Sequence, residues 1–123
     1  MQLLLIGVGG FVGAISRYGV GVLVKRLAGE SVFPYGTLVA NVIGCFLMGC
    51  LVAWGGPKLD PNLRATLGVG FLGALTTFST FGNESVSLAQ SGQMGVACAN
   101  VGLNVALSLA GVYAGLSVGK LFA

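Results

Sequence analysis

The stretch Thr76-Thr77-Phe78-Ser79-Thr80-Phe81, written TTFSTF, lies deep inside an apolar chain. Four of its six residues carry hydroxyls and two carry aromatic rings. It falls near the middle of a long apolar segment, Leu63 to Leu88. As one unbroken helix that segment would reach about 39 Å, against a hydrocarbon core of about 30 Å. Threonine is β-branched and its hydroxyl competes for backbone groups. Gly70 and Gly73 come just before it. We therefore expect a helix broken near its middle. Such a break is tolerated at membrane depth only where protein or a water-filled path satisfies the freed backbone, and it is a frequent ion site.

The rest of the chain supports a membrane setting. Of 123 residues, 55% are hydrophobic and 7% are charged, with a mean hydropathy of +0.95. A soluble domain carries about a quarter charged residues. This chain cannot cover a surface with polar groups, so it reads as an all-α integral membrane protein. At roughly 20 residues per span, four spans fit and five do not. They are expected at about 3–24, 34–54, 63–88 and 94–118, forming a single transmembrane domain. The loop Lys25 to Phe33, the turn GGPKLDPN (Gly55 to Asn62) and the polar link Gln90 to Gln93 separate them. MQLLLIGVGG lacks a basic leader and reads as the first span rather than a cleaved signal. Twenty-two glycines suggest helices that approach closely through small-residue faces. There is no His and no CxxC among Cys45, Cys50 and Cys98, so from these residues neither a metal site nor a disulfide framework is expected.

Four spans put both termini on one side. That side, with the Gly55–Asn62 turn, carries Lys58, Arg64 and Lys120. The other carries Lys25 and Arg26, with Arg17 inside span 1. The positive-inside bias is almost nil. A chain free to insert both ways can pair with an inverted copy of itself. With so few loop charges the balance is also compatible with a noisy count.

A few polar residues stand out within the spans. Arg17 costs about 2.5–3.5 kcal/mol to bury on insertion scales. It reads equally as an anion-attracting group and as a structural, snorkelling arginine. Asn41 sits four residues after Thr37, on the same helix face. Its amide reads first as interhelical glue, second as a donor to a passing anion. Asn100, Asn104 and Ser108, at i, i+4 and i+8, make one polar stripe that suits a lined path and a helix contact equally. Phe78 and Phe81 can share a face, and ring edges carry partial positive charge. Neutral donors bind an anion weakly enough to release it, as conduction requires. Glu84 is the only acid placed for a titratable role on a path. No catalytic triad, P-loop or dinucleotide fingerprint appears, so no enzyme is expected, and nothing points to a nucleic-acid partner.

GGFVGAISRY (Gly9 to Tyr18), GTLVANVIGCFLMG (Gly36 to Gly49) and GFLGALTTFSTFGNES (Gly70 to Ser85) closely resemble the Fluc family of fluoride channels, also called CrcB. Order, spacing and layout match over nearly the whole chain. The resemblance implies a dual-topology antiparallel homodimer in the lipid bilayer, with two antiparallel fluoride pores. It implies a path lined by Asn41, Phe78 and Phe81, with Ser79 and Thr80 hydroxyls nearby, and Thr37, Asn104 and Ser108 beside them. It places a structural sodium ion on the dimer axis, on the backbone carbonyls of Gly73 and Thr76. It sets Arg17 near a vestibule and leaves the role of Glu84 open. It also implies a bacterial inner-membrane protein that exports cytoplasmic fluoride. The family's span 4 polar line often begins with Tyr, then Ser; Asn100, Asn104 and Ser108 stand at what look like those positions.

Two other classes compete. A small multidrug exporter is also short and four-spanned, but resembles a carrier built around a Glu in span 1, and no acid lies there. A scaffold subunit would use its polar residues as glue alone and carry no flux.

Overall fold

The computed structural model of the protein describes residues 1–55 and 58–122. Among these, all regular structure is helical. Helix α1 spans Gln2–Ala28 and α2 spans Tyr35–Gly55. The third crossing is composite. It comprises α3 (Pro61–Ala65), a π-helical stretch (Thr66–Leu72), α4 (Gly73–Leu75), a break at Thr76 and Thr77, and α5 (Phe78–Gln90). Helix α6 spans Met94–Leu121. Four segments are long and apolar enough to cross a membrane, Pro61–Gln90 among them.

The helix ends follow local chemistry. Lys25 and Arg26, expected in a loop, instead form the last turn of α1, where cations favour the negative end of the helix dipole. Asp60 caps α3: its Oδ1 accepts from the backbone N–H of Asn62 (2.9 Å) and Leu63 (3.2 Å). Pro61 fills the first helical position, where no N–H is needed. After α5 the chain reverses at Gly92, with φ of 82°. The Gln93 N–H reaches back to the Leu88 carbonyl at 2.9 Å, satisfying an orphan acceptor.

Glycine sets the packing. Helix α1 and the third crossing run parallel and touch backbone to backbone. A Cβ on Gly9 would strike the Thr66 carbonyl oxygen, one on Gly13 the Phe71 carbonyl, and one on Gly70 the Ile6 carbonyl. Helices α2 and α6 form the most extensive pairing. Gly111, Gly115 and Gly119, four residues apart, lie on Val42, Phe46 and Cys50 in the same order, so these two helices are also parallel. With no hydrophobic gain between helices in lipid, such close van der Waals contact is what holds them. Leu51, Leu72 and Leu75 form a small core where α2 meets the third crossing. Large apolar side chains such as Leu4, Phe11, Val69, Leu109 and Tyr113 point outward, as lipid or a second subunit requires.

Candidate functional site

The break is built by named residues. Thr76 is extended (φ −83°, ψ 156°), and so is Thr77 (φ −152°, ψ 116°). Thr77 then caps α5: its Oγ1 accepts from the Thr80 N–H at 3.3 Å. Gly44 of α2 lets the break close in, since a Cβ there would strike Thr76 Cγ2. In an unbroken helix the Thr77 N–H would bond to the Gly73 carbonyl. It donates instead to Asn41 Oδ1 at 2.8 Å. The Gly73 carbonyl thereby loses its helical donor, and the Thr76 carbonyl lies outside both helices. These are the freed backbone groups that a break at membrane depth must satisfy.

Asn41 clamps the break. Its Nδ2 donates to the Thr77 carbonyl (3.3 Å) and to Asn104 Oδ1 (3.1 Å). Both amide hydrogens are thus committed to protein acceptors. Asn104 Nδ2 in turn donates to Asn100 Oδ1 (2.8 Å) and to the Asn100 carbonyl (3.0 Å). Asn100 is fully buried and Asn104 is 4% exposed. Of the polar stripe on α6, its first two members make helix contacts. Ser108 is half-buried and makes no hydrogen bond to the described residues.

A groove of about 350 Å³ lies beside the break. Asn41, Thr77, Phe78, Phe81, Asn104 and Ser108 line it. The Phe78 and Phe81 rings meet edge to face, with centroids 5.4 Å apart and an interplanar angle of 60°. That arrangement is favoured by the ring quadrupoles. Phe81 is buried, whereas Phe78 is 83% exposed on the open side of the groove.

A second cavity, of about 310 Å³, is lined by Arg17, Thr37, Thr77, Thr80 and Glu84, among others. Thr77 is common to both spaces. The half-buried Arg17 makes no hydrogen bond or ion pair with the described residues, so its donors stay open to the cavity. Thr37 Oγ1 donates to Glu84 Oε1 at 2.8 Å. Glu84 Oε2 is buried without a partner among the described residues. The Thr77 hydroxyl donates to Thr80 Oγ1 at 3.0 Å and lies 3.4 Å from Ser79 Oγ. Ser79 itself is exposed and lines neither space.

The structure thus divides the expected residues between two spaces. Asn41, Phe78, Phe81, Asn104 and Ser108 share the groove; Arg17, Thr37, Thr80 and Glu84 share the cavity. Thr77 was not singled out from the sequence. Its place as a capping residue before Phe78 was the signal available. Residues 4–116 match the family described as CrcB-like protein, Camphor Resistance (CrcB).

The chain belongs to the CrcB family.

Relatives named "Fluoride-specific ion channel FluC" agree with that membership. One from Shewanella sp. (strain ANA-3) is 49% identical over 115 residues, covering 93% of this chain and 92% of its own. One from Shewanella amazonensis is 48% identical with the same coverage, and one from Shewanella putrefaciens is 49% identical. With its four membrane-length helices, this CrcB chain is a multi-pass membrane protein, which in bacteria is a protein of the inner membrane.

Proposed function

We propose that this CrcB chain is a fluoride-selective passive channel that works as an inverted homodimer with two antiparallel pores. One observation carries the reading. On a chain whose relatives are named fluoride-specific channels, a cavity with an uncommitted arginine adjoins a groove edged by two phenylalanine rings, and Thr77 belongs to both.

Fluoride is small and strongly hydrated, so the path must replace its water with donors. Arg17 draws the anion into the cavity from water, where Thr80 supplies a hydroxyl; Thr37, whose hydroxyl donates to Glu84 Oε1, must release it before it can donate to the anion. The anion then passes Thr77 into the groove. There the Ser108 hydroxyl and the Phe78 and Phe81 ring edges meet it without a full charge, so binding stays weak enough for exit. Asn41 shapes this passage by holding the Thr77 backbone; to donate to the anion it must release Asn104 or Thr77. Phe78 is exposed beside an open groove in one subunit, which favours closure by a second copy. The nearly balanced loop charges favour the inverted orientation of that copy.

The Gly73 and Thr76 carbonyls suit a structural sodium ion at the dimer axis. They are hard, neutral oxygen donors released at a helix break. No group of three or more metal-binding side chains occurs among the described residues, so such an ion would rest on backbone. When bound, it would supply a fixed positive charge where two breaks meet.

The test is flux. Purified protein in potassium-loaded liposomes should release fluoride rapidly after a potassium ionophore is added, and should not release chloride. No release from verified dimers would refute the reading.

A further inference from the structure

Five hydrogen bonds run head to tail through the site. The Thr77 N–H donates to Asn41 Oδ1, Asn41 Nδ2 to Asn104 Oδ1, and Asn104 Nδ2 to Asn100 Oδ1. Asn100 Nδ2 then donates to Ser85 Oγ at 2.9 Å, and the Ser85 hydroxyl to the Phe81 carbonyl at 2.8 Å. The chain leaves the break at Thr77, crosses α2 and α6, and returns through α5 to Phe81. Its direction is imposed by backbone. The Thr77 N–H can only donate, so Asn41 must turn its oxygen there and its nitrogen toward Asn104. The Asn100 carbonyl can only accept, so Asn104 must turn its nitrogen there. Asn100 therefore offers its side-chain oxygen to Asn104 and its nitrogen to Ser85.

The two ends of the chain bracket the turn that carries Phe78 and Phe81. A buried amide needs partners. Among the described residues the Asn100–Ser85 bond is the one side-chain hydrogen bond between α6 and α5, and it closes the chain from Asn104 back to Phe81. A directed chain polarises each successive bond and acts as a unit. We propose that Asn100 and Ser85 are positioning residues for conduction. Neither lines the groove or the cavity. Both act by holding the Phe81 carbonyl and, through Asn104 and Asn41, the Thr77 backbone, which together set the ring pair. This inference rests on the conduction reading above.

Replacing Asn100 by Leu keeps the number and branching of the side-chain heavy atoms and removes the link in both directions. Fluoride efflux per folded dimer should slow by about tenfold, the rate equivalent of one network hydrogen bond. Ser85→Ala cuts the last link and should slow efflux in the same way, while Ser85→Thr, which keeps a hydroxyl, should restore it. The double variant Asn100→Leu/Ser85→Ala should be no slower than Asn100→Leu alone, because both cut one chain. A merely structural role would lower the unfolding midpoint and leave flux per folded dimer unchanged. That result, or effects that multiply in the double variant, overturns the proposal. If Asn100→Leu does not fold, the Ser85→Ala and Ser85→Thr pair decides: equal flux from both overturns it. No fluoride flux from the unaltered protein would defeat the conduction reading and this inference with it. Normal flux in the unaltered protein and in every variant would defeat this inference alone.

Discussion

Asn41→Asp changes little in shape and much in hydrogen bonding. The carboxylate can still accept from the Thr77 N–H, now 2.8 Å from Oδ1. Its second oxygen, however, replaces a donor that lies 3.3 Å from the Thr77 carbonyl and 3.1 Å from Asn104 Oδ1. Two donated bonds become contacts between acceptors. Interhelical side-chain bonds in membranes average about 0.6 kcal/mol, so their loss alone costs about 1 kcal/mol. Leaving the two acceptors unsatisfied adds ~1–3 kcal/mol for each group. An aspartate at mid-span carries an insertion penalty of about 2.5–3.5 kcal/mol. The insertion penalty acts on the inserted chain whether folded or not, so the lost bonds and orphaned acceptors set the effect on the folded dimer, and we expect it to lose roughly 3–7 kcal/mol. The same negative charge faces the path. A barrier raised by ~3 kcal/mol slows fluoride efflux by about a hundredfold. Asn41→Leu is the control. It removes all three bonds and leaves the Thr77 N–H unpaired along with the same two acceptors, so it should destabilise the dimer at least as much, but without the added charge it should impair flux less. The assay pairs liposome fluoride efflux with the unfolding midpoint in detergent. Unchanged flux and midpoint in Asn41→Asp would refute both the clamp and its place beside the path.

Further outcomes follow from the same geometry. Phe78→Ile and Phe81→Ile should each lower fluoride flux while the dimer persists on size exclusion, because each removes a ring edge and a contact worth about 0.5–1.5 kcal/mol; normal flux in both would take the rings out of the mechanism. Gly115→Ala puts a methyl group into the Phe46 carbonyl and should lower the unfolding midpoint, at a cost of about 1–3 kcal/mol; an unchanged midpoint would contradict the backbone contact of α2 and α6. Thr37→Val keeps the shape but leaves Glu84 Oε1 without its donor, and should cost about 1 kcal/mol and slow flux; wild-type behaviour would make that contact incidental. Tags at either terminus should be reached from both membrane faces, and labelling from one face only would defeat the inverted dimer.

Much of the fold could be read along the chain. Spans follow from apolar run length, and their ends from local turn chemistry at Asp60, Pro61 and Gly92. The break was visible because TTFSTF puts β-branched and hydroxyl side chains where a helix of excessive length had to yield. The π-helical stretch Thr66–Leu72 was not visible. Its widened turn lies at the close approach of Gly9, Gly13 and Gly70, and depends on a partner helix more than fifty residues away in the chain. The spacing of Asn100, Asn104 and Ser108 showed one face and left its neighbour open. Asn100 and Asn104 turned out to face α5 and α2, while Ser108 opens on the groove.

The sequence alone determined an all-helical membrane protein of four crossings, the third broken near its middle in the TTFSTF stretch, with glycine-faced helices and a small stock of neutral donors. These are local properties, set by side-chain volume, backbone freedom and the absence of water in lipid. Tertiary structure decided which donors remain available. In a low-dielectric interior an amide takes whichever partner the rotation of its helix presents. The axial rotations of α2, α5 and α6 commit Asn41, Asn100 and Asn104 to one another and leave Arg17, Ser108 and the ring edges of Phe78 and Phe81 for a passing ion.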